Sequence, residues 1–344
     1  MSKVKQTPYH TLAVVGLSKN AGKTTVLNGL IQQYARVASL GILSIGVDGE
    51  AVDAWSARPK PAIQVPAGTF VATTGVHYEQ RPGNWEILKN TRVSSSLGSV
   101  FIARALCTTK VKLDGVQRKE SIRQVIQMMK SLGAHRILID GAYDRMAAAC
   151  TTVADGMIVV IGASLARSLQ TVLKKWQEWS HLFQLPRYED KWATRFQTPE
   201  NQQSLWIVQN NQAVSLPFSS VLQVSASEES VLLNSSTLFL PGALTNQTLR
   251  LFIRQKAGIT IVVRDATHLF ITLESLRQFY QIGGKLMVLA RIPILGIAIN
   301  PTSPDGYGFD AREMKHKVKA ISGSIPVWDW VHDIEQEVDS DSCS

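Results

Sequence analysis

The chain has 344 residues, 45% of them hydrophobic and 18% charged, a globular composition that excludes wholesale disorder and suits one large or two ordinary domains. Three cysteines, Cys107, Cys150 and Cys343, are too few and too widely spaced for a disulfide framework or a zinc cage. No run of about 18 apolar residues occurs and the start, Met1 to His10, is polar, so neither a membrane span nor an export signal is expected and a reducing cytoplasm fits.

The formal charge is +9, from 36 Lys+Arg against 27 Asp+Glu. These charges are scattered. The densest group, Lys315, Lys317 and Lys319 beside His316, reads as a solvated helix face, so charge alone supports only nonspecific association with nucleic acid.

In chain order, Thr11–Gly16 (TLAVVG) is a short β-branched apolar run and reads as a buried strand. Val26, Leu27, Leu30, Ile31, Tyr34, Ala35 and Ala38 then recur at helical spacing. Residues 41–47 (GILSIGV) form a second buried run. Strand, loop, helix and strand make a βαβ unit, which implies parallel strands. Residues 57–116 change character. Prolines and glycines punctuate short alternating runs at 62–66, 69–73 and 99–106, which predicts a β-rich insertion of hairpins. A helix is expected over 120–132, strands at 136–139 and 157–161, and a helix bearing Leu165, Leu169, Val172, Leu173, Trp176, Trp179 and Phe183, whose aromatic stripe reads as core. The polar stretch 184–204, with Pro186 and Pro199, reads as a linker or loop.

Beyond it, strands are expected at 237–240, 259–263, 286–290 and 295–299, and helices at 274–282 and 310–320. Periodicity does not say whether these strands extend the first sheet or build another. The whole predicts an α/β fold with a mainly parallel sheet flanked by helices. A core at 1–185 with the insertion at 57–116 is followed by a C-terminal α/β portion at 205–330 that completes or packs on it. Residues 331–344, with Asp333, Glu335, Glu337, Asp339 and Asp341, form an acidic tail.

The stretch that carries chemistry is Gly16-Leu17-Ser18-Lys19-Asn20-Ala21-Gly22-Lys23-Thr24-Thr25, between the first strand and the first helix. A tight loop there lets successive backbone N–H groups curl around a phosphate, and the helix N-terminus adds partial positive charge. Gly16, Lys19, Asn20, Ala21, Gly22, Lys23, Thr24 and Thr25 are the expected nucleotide-binding set. Lys23 would reach the β- and γ-phosphate oxygens, and the Thr24 hydroxyl would bind Mg²⁺. A glycine turn with a surface lysine is the plain alternative.

Mg²⁺ and an attacking water need acids at nearby strand ends. Asp140 follows the strand at 136–139, as a Walker B acid would. Asp48 ends the second strand and is the other candidate, against an ordinary Asp-Gly turn; Glu50 and Asp53 are weaker. Lys23, Asp48 and Asp140 are thus the catalytic candidates, and Thr24, Asp48 and Asp140 the metal ligands. Asp144 and Arg145 follow within a turn, where Arg145 would steady phosphate charge or form a surface pair. Asn300 follows the strand at 295–299 and offers an amide that can read a purine edge; the alternative is a proline-rich turn leading to Asp310 as helix N-cap. His268, near Arg264 and Asp265, has no second ligand at metal spacing. Cys107 and Cys150 sit in apolar sequence that favours inert packing.

The Gly-x₅-Gly-Lys-Thr spacing resembles that of dethiobiotin synthetase, in the group that holds the nitrogenase iron protein and the MinD/ParA ATPases. The signature lysine of MinD/ParA proteins falls here at Ser18, with Lys19 beside it. The phrases GLSKNAGKTT, SIGVDGE, IARAL, DGAYDR and NPTSPDGY, with Lys60-Pro61, resemble the nucleotide-binding subunit of lysine 5,6-aminomutase reactivases. That resemblance implies a P-loop ATPase using Mg²⁺-ATP to open a cobalamin-dependent aminomutase and release damaged cofactor. The partner would be the aminomutase or a second reactivase subunit, with an oligomer compatible. A ligase or kinase of the dethiobiotin-synthetase type and a DNA-associated partitioning ATPase stand as alternatives. ATP against GTP is left open.

Overall fold

The structure is a computed structural model and describes residues 9–45, 62–141, 153–198, 200–225, 229–255 and 257–330. Asp48, Glu50, Asp53, Asp144, Arg145, Cys150, Cys343 and the acidic tail lie outside these residues.

The chain forms two compact units, one from Met1–Trp176 with Pro293–Ser344, the other from Gln177–Ile292. In chain order the first unit has strands β1 (Thr11–Gly16), β2 (Leu40–Ile45), β3 (Ile63–Val65), β4 (Phe70–Thr74), β5 (Trp85–Ser95), β6 (Gly98–Ala105), β7 (Thr109–Val111), β8 (Arg136–Gly141) and β9 (Gly156–Gly162). The second unit has β10 (Leu205–Gln209), β11 (Gln212–Leu216), β12 (Thr237–Leu240), β13 (Leu244–Thr245), β14 (Thr260–Val263), β15 (Leu269–Phe270) and β16 (Lys285–Val288). The chain then returns to the first unit with β17 (Ile294–Asn300) and β18 (Val327–Asp329).

The first unit is built on a nine-stranded sheet in the order β18-β17-β9-β1-β8-β2-β4-β6-β5. From β18 to β4 every neighbouring pair is parallel; β6 and β5 are added antiparallel. β1, β2 and β9 are buried at every residue, as expected for strands covered on both faces. The helix Lys23–Tyr34 buries Val26, Leu27, Leu30, Ile31 and Tyr34, the face that its spacing defines. The helix Lys119–Ser131 buries Ile122, Val125, Ile126 and Met129 in the same way. Asp310 caps the helix Ala311–Ser322 by accepting the Glu313 N–H at 2.7 Å. Trp176, fully buried, donates its indole N–H to Ser322 Oγ at 3.0 Å. No helix among the described residues is long and apolar enough to cross a membrane.

The structure refines three expectations. Over the described residues 62–116 the expected β-rich hairpins form, and they are built into the main sheet. β4 joins the central sheet beside β2, and β6 and β5 continue it; only β3 and β7 pair apart as a short ribbon. Tyr78 fastens this extension by donating its hydroxyl to the Val71 carbonyl at 2.7 Å and sharing it with Phe101 at 3.2 Å. Alternation reveals a strand but not its partner. The boundaries also differ: the first stretch of the core ends at Trp176, and 205–330 divides at 293, where the chain re-enters the first sheet. The stretch 184–204 is loop over much of its length but does not link the two units, since it lies within Gln177–Ile292. It holds the helix Ala193–Gln197, and Tyr188 and Phe196 are buried in the second unit's core, Phe196 stacked on Phe239 with centroids 5.1 Å apart.

The second unit has a five-stranded sheet, β11-β10-β12-β14-β16, in which β12, β14 and β16 run parallel and β10 and β11 are antiparallel. The β10–β11 hairpin, which periodicity does not indicate, turns through Asn210 and Asn211 at φ 50° and 61°, the left-handed pair a two-residue turn requires.

Candidate functional site

β1 lies between β8 and β9. From β1 the chain runs through the helix Lys23–Tyr34 to β2 on one side; from β8 it crosses to β9 on the other. β1 is therefore a switch point of the parallel sheet, and ligands of such sheets sit beyond the carboxyl ends of the strands there. Val14 of β1 pairs with Asp140, Gly16 with Val160, and Gly162 with Asn300. The loop after Gly16, Asp140 near the end of β8, Gly162 and Asn300 all occupy this carboxyl edge.

The loop bends through two left-handed residues. The Leu17 N–H donates to the Val160 carbonyl at 3.0 Å, anchoring its start. Asn20 takes φ 56° and Gly22 φ 99°. A left-handed residue among right-handed ones turns successive N–H groups inward, and asparagine tolerates that conformation. Gly22 caps the helix Lys23–Tyr34, whose first turn has no acidic residue and no side-chain cap. A Cβ at Gly22 would lie 3.1 Å from Asn300 Nδ2, so the late-strand asparagine is packed on the loop. A Cβ at Gly16 would lie 3.0 and 3.1 Å from Lys23 Cγ and Cδ. The lysine stem thus folds back across the loop over Gly16.

Of the nucleotide-binding set, Ala21 is fully buried, Lys19, Asn20 and Thr25 are exposed, and Thr24 is half-buried. A cleft of about 140 Å³ opens beside the loop, bounded by Gly22, Thr25, Asn300, Thr302, Asp329 and Trp330. Asn300 Oδ1 accepts from the Thr302 N–H at 3.2 Å and hydroxyl at 2.8 Å, which fixes the amide at the cleft wall. Asp140 is half-buried, and its carbonyl accepts from Ser44 Oγ at 3.3 Å across to β2. The structure thus brings Gly16, Gly22, Lys23 and Asn300 together and aligns Asp140 with them. Asp48 lies outside the described residues.

Two residues beside the loop escape sequence reasoning: Ser164, bonded to Lys19 and Ser18, and Trp330, which shares the cleft with Gly22. Each reaches it through tertiary approach, and no local spacing marks them. Among the described residues no group of three or more His, Cys, Asp or Glu could hold a metal ion. An oxygen site shared by one hydroxyl, one carboxylate and phosphate oxygens would suit Mg²⁺, which keeps several waters. Thr24 and Asp140 supply those donor types.

Outside this edge, His268 Nδ1 lies 3.2 Å from Asp265 Oδ1, and both residues are buried. Burial pushes the Asp265 carboxyl up, but the hydrogen bond and charge of His268, with the Thr267 hydroxyl and N–H, outweigh it and hold the carboxyl well below its usual range. His268 is thereby committed to a packed carboxylate. Cys107 is exposed, contrary to the expectation of inert packing: it lies in the bend between β6 and β7, where an apolar neighbourhood in sequence does not bury it. A larger open cleft of about 230 Å³ in the second unit, beside β16, carries Lys285 as its one charged group and no convergent polar set.

The fold and this edge define an α/β protein with a large, mainly parallel sheet flanked by helices. Comparison with known protein families, curated proteins and solved structures finds no match for the chain.

Proposed function

We propose that this chain is a P-loop ATPase, binding and hydrolysing ATP with Mg²⁺ and using the cycle to change a partner protein. The observation that carries the reading is the loop after β1: a left-handed Gly22 opening a helix, with the Lys23 stem laid back over Gly16 at the sheet's switch point. Loop N–H groups and the helix N-terminus would hold the phosphates, and Lys23 would neutralise the terminal ones. Thr24 and Asp140 would hold Mg²⁺, which when bound neutralises charge on the β- and γ-phosphates. Asn300 would contact the base with its amide. Asp48 is carried forward from the sequence as a candidate to orient water. The resemblance to reactivase nucleotide-binding subunits names the partner, a cobalamin-dependent aminomutase or a second reactivase subunit.

Titration calorimetry with Mg²⁺-ATP tests the core of this. Lys23→Ala removes a charged hydrogen-bond donor and is expected to weaken binding at least about tenfold; unchanged affinity sinks the reading. Slow basal hydrolysis raised by a protein partner is expected. ADP formed one-for-one with a phosphorylated small carboxylate would instead make the chain a small-molecule kinase, or a ligase if that acyl phosphate goes on to form a new bond with release of phosphate.

A further inference from the structure

Three segments meet at the loop in one hydrogen-bonded assembly. Ser164 Oγ, on the turn after β9, donates to the Lys19 carbonyl at 2.9 Å and lies 2.8 Å from Ser18 Oγ. A serine hydroxyl has one proton, so Ser18 is the donor between the two hydroxyls. Ser18 is buried. The same turn fits tightly: a Cβ on Gly162 would stand 2.6 Å from Ala21 Cα. On its far side the Ala163 carbonyl accepts the Tyr307 hydroxyl at 3.1 Å.

Tyr307 belongs to the loop that Asn300 begins. That loop is closed on itself: Ser303 N–H donates to the Tyr307 carbonyl at 2.8 Å and Phe309 N–H to the Pro301 carbonyl at 2.9 Å. Ala163 and Ser164 thus stand between the base-side loop and the phosphate-side loop, bonded to both.

The peptide plane makes the Lys19 bond consequential. In a trans peptide the carbonyl of one residue and the N–H of the next point in opposite directions. Holding the Lys19 carbonyl on Ser164 therefore fixes the direction of the Asn20 N–H, at the residue whose left-handed φ of 56° shapes the cradle.

Building on the ATPase reading, we propose that Ser164 and Tyr307 are positioning residues forming a relay, through which the Asn300–Tyr307 loop sets the phosphate-loop amides in their anion-binding arrangement. Neither residue need touch the nucleotide. Occupancy of the base-side loop would favour the arrangement that grips phosphate, so an adenine moiety strengthens binding beyond its own contacts.

The test is a double-mutant cycle on the full chain, Ser164→Ala, Tyr307→Phe and both, with Mg²⁺-ATP and with inorganic tripolyphosphate as ligands. Ser164→Ala is expected to weaken both ligands about tenfold, the scale of one lost hydrogen bond with an orphaned carbonyl, and Ser164→Thr to restore most of it. Tyr307→Phe is expected to weaken ATP more than tripolyphosphate. The double variant should be no worse than Ser164→Ala alone, because the relay is already cut. Additive losses, or single variants that bind ATP like the wild type, overturn the relay. Tyr307→Phe removes one half-buried hydroxyl and keeps the ring, so it offers a second readout should Ser164→Ala fail to fold: amide exchange across residues 19–22 should quicken while β1 is unchanged, and equal protection overturns the proposal. If the wild type does not bind Mg²⁺-ATP, or Lys23→Ala binds it as well, the ATPase reading itself fails and the relay with it.

Discussion

Gly22 is held where an L side chain is strained, at φ 99°, and its missing Cβ leaves the space that Asn300 fills. Gly22→Ala is expected to cost about 1–2 kcal/mol of stability from the left-handed conformation alone, and more through the Asn300 contact. A thermal melt and a Mg²⁺-ATP titration of the variant check this, and an unshifted melt with normal affinity contradicts it. Asp140 tests a different role at the same edge. Asp140→Asn keeps the size of the side chain and removes its charge, so the Mg²⁺ concentration required for half-maximal ATP binding should rise about tenfold while Mg²⁺-free nucleotide affinity changes little. Identical Mg²⁺ requirements in both proteins would remove Asp140 from the metal site. The Gly-Lys-Thr triple was legible because its chemistry is packed into consecutive residues. Ser164 was not, since nothing near it in sequence says that its hydroxyl meets the Lys19 carbonyl, 145 positions earlier.

At the scale of elements, the helix Lys23–Tyr34 shows local preference yielding to packing. Gly29 sits in its interior, where alanine would be the better helix former by about 1 kcal/mol. A Cβ there would stand only 2.1 Å from the Trp330 indole nitrogen. Gly29→Ala is therefore expected to destabilise by about 1–3 kcal/mol, despite its helix propensity. In a Trp330→Ala background the same change should become neutral or stabilising, and a denaturant-melt cycle reads the change of sign. Elements buried on both faces were the legible ones: β1, β2 and β9 are short apolar runs buried at every residue, β8 has an apolar centre at Ile137–Ile139, and the helices Lys23–Tyr34 and Lys119–Ser131 carry apolar stripes. Their order in the sheet was not, because parallel neighbours here are far apart in sequence, as with Ile158 beside Val14. Tyr188 and Phe196 stood in a polar stretch with too few apolar residues for any period, so their place in a core emerged only from the fold.

Over the whole molecule, every residue of the candidate nucleotide site that the structure describes belongs to the unit formed by Met1–Trp176 and Pro293–Ser344. The unit at Gln177–Ile292 has its own sheet, its own aromatic core and its own buried carboxylate, Asp265. That carboxylate has its pKa depressed by folding. Its contribution is therefore present above the ordinary aspartate value near 4 and is lost as pH falls through that value toward the folded one. Asp265→Asn cannot carry the charge and leaves His268 and Thr267 with a weaker acceptor. At neutral pH it should cost about 1–3 kcal/mol, the scale of a disrupted buried hydrogen-bond set. The gap from the wild type should begin to narrow below about pH 4, where the carboxyl of the unfolded wild-type chain takes up a proton while the folded one stays ionised. Denaturant melts of both proteins from pH 7 to pH 3 measure the gap, and a constant difference across that range would show that Asp265 is not the titrating group. Mg²⁺-ATP affinity at neutral pH should be the same in both, since the carboxylate and the phosphate loop belong to different units; a large fall would mean that the second unit contributes to nucleotide binding.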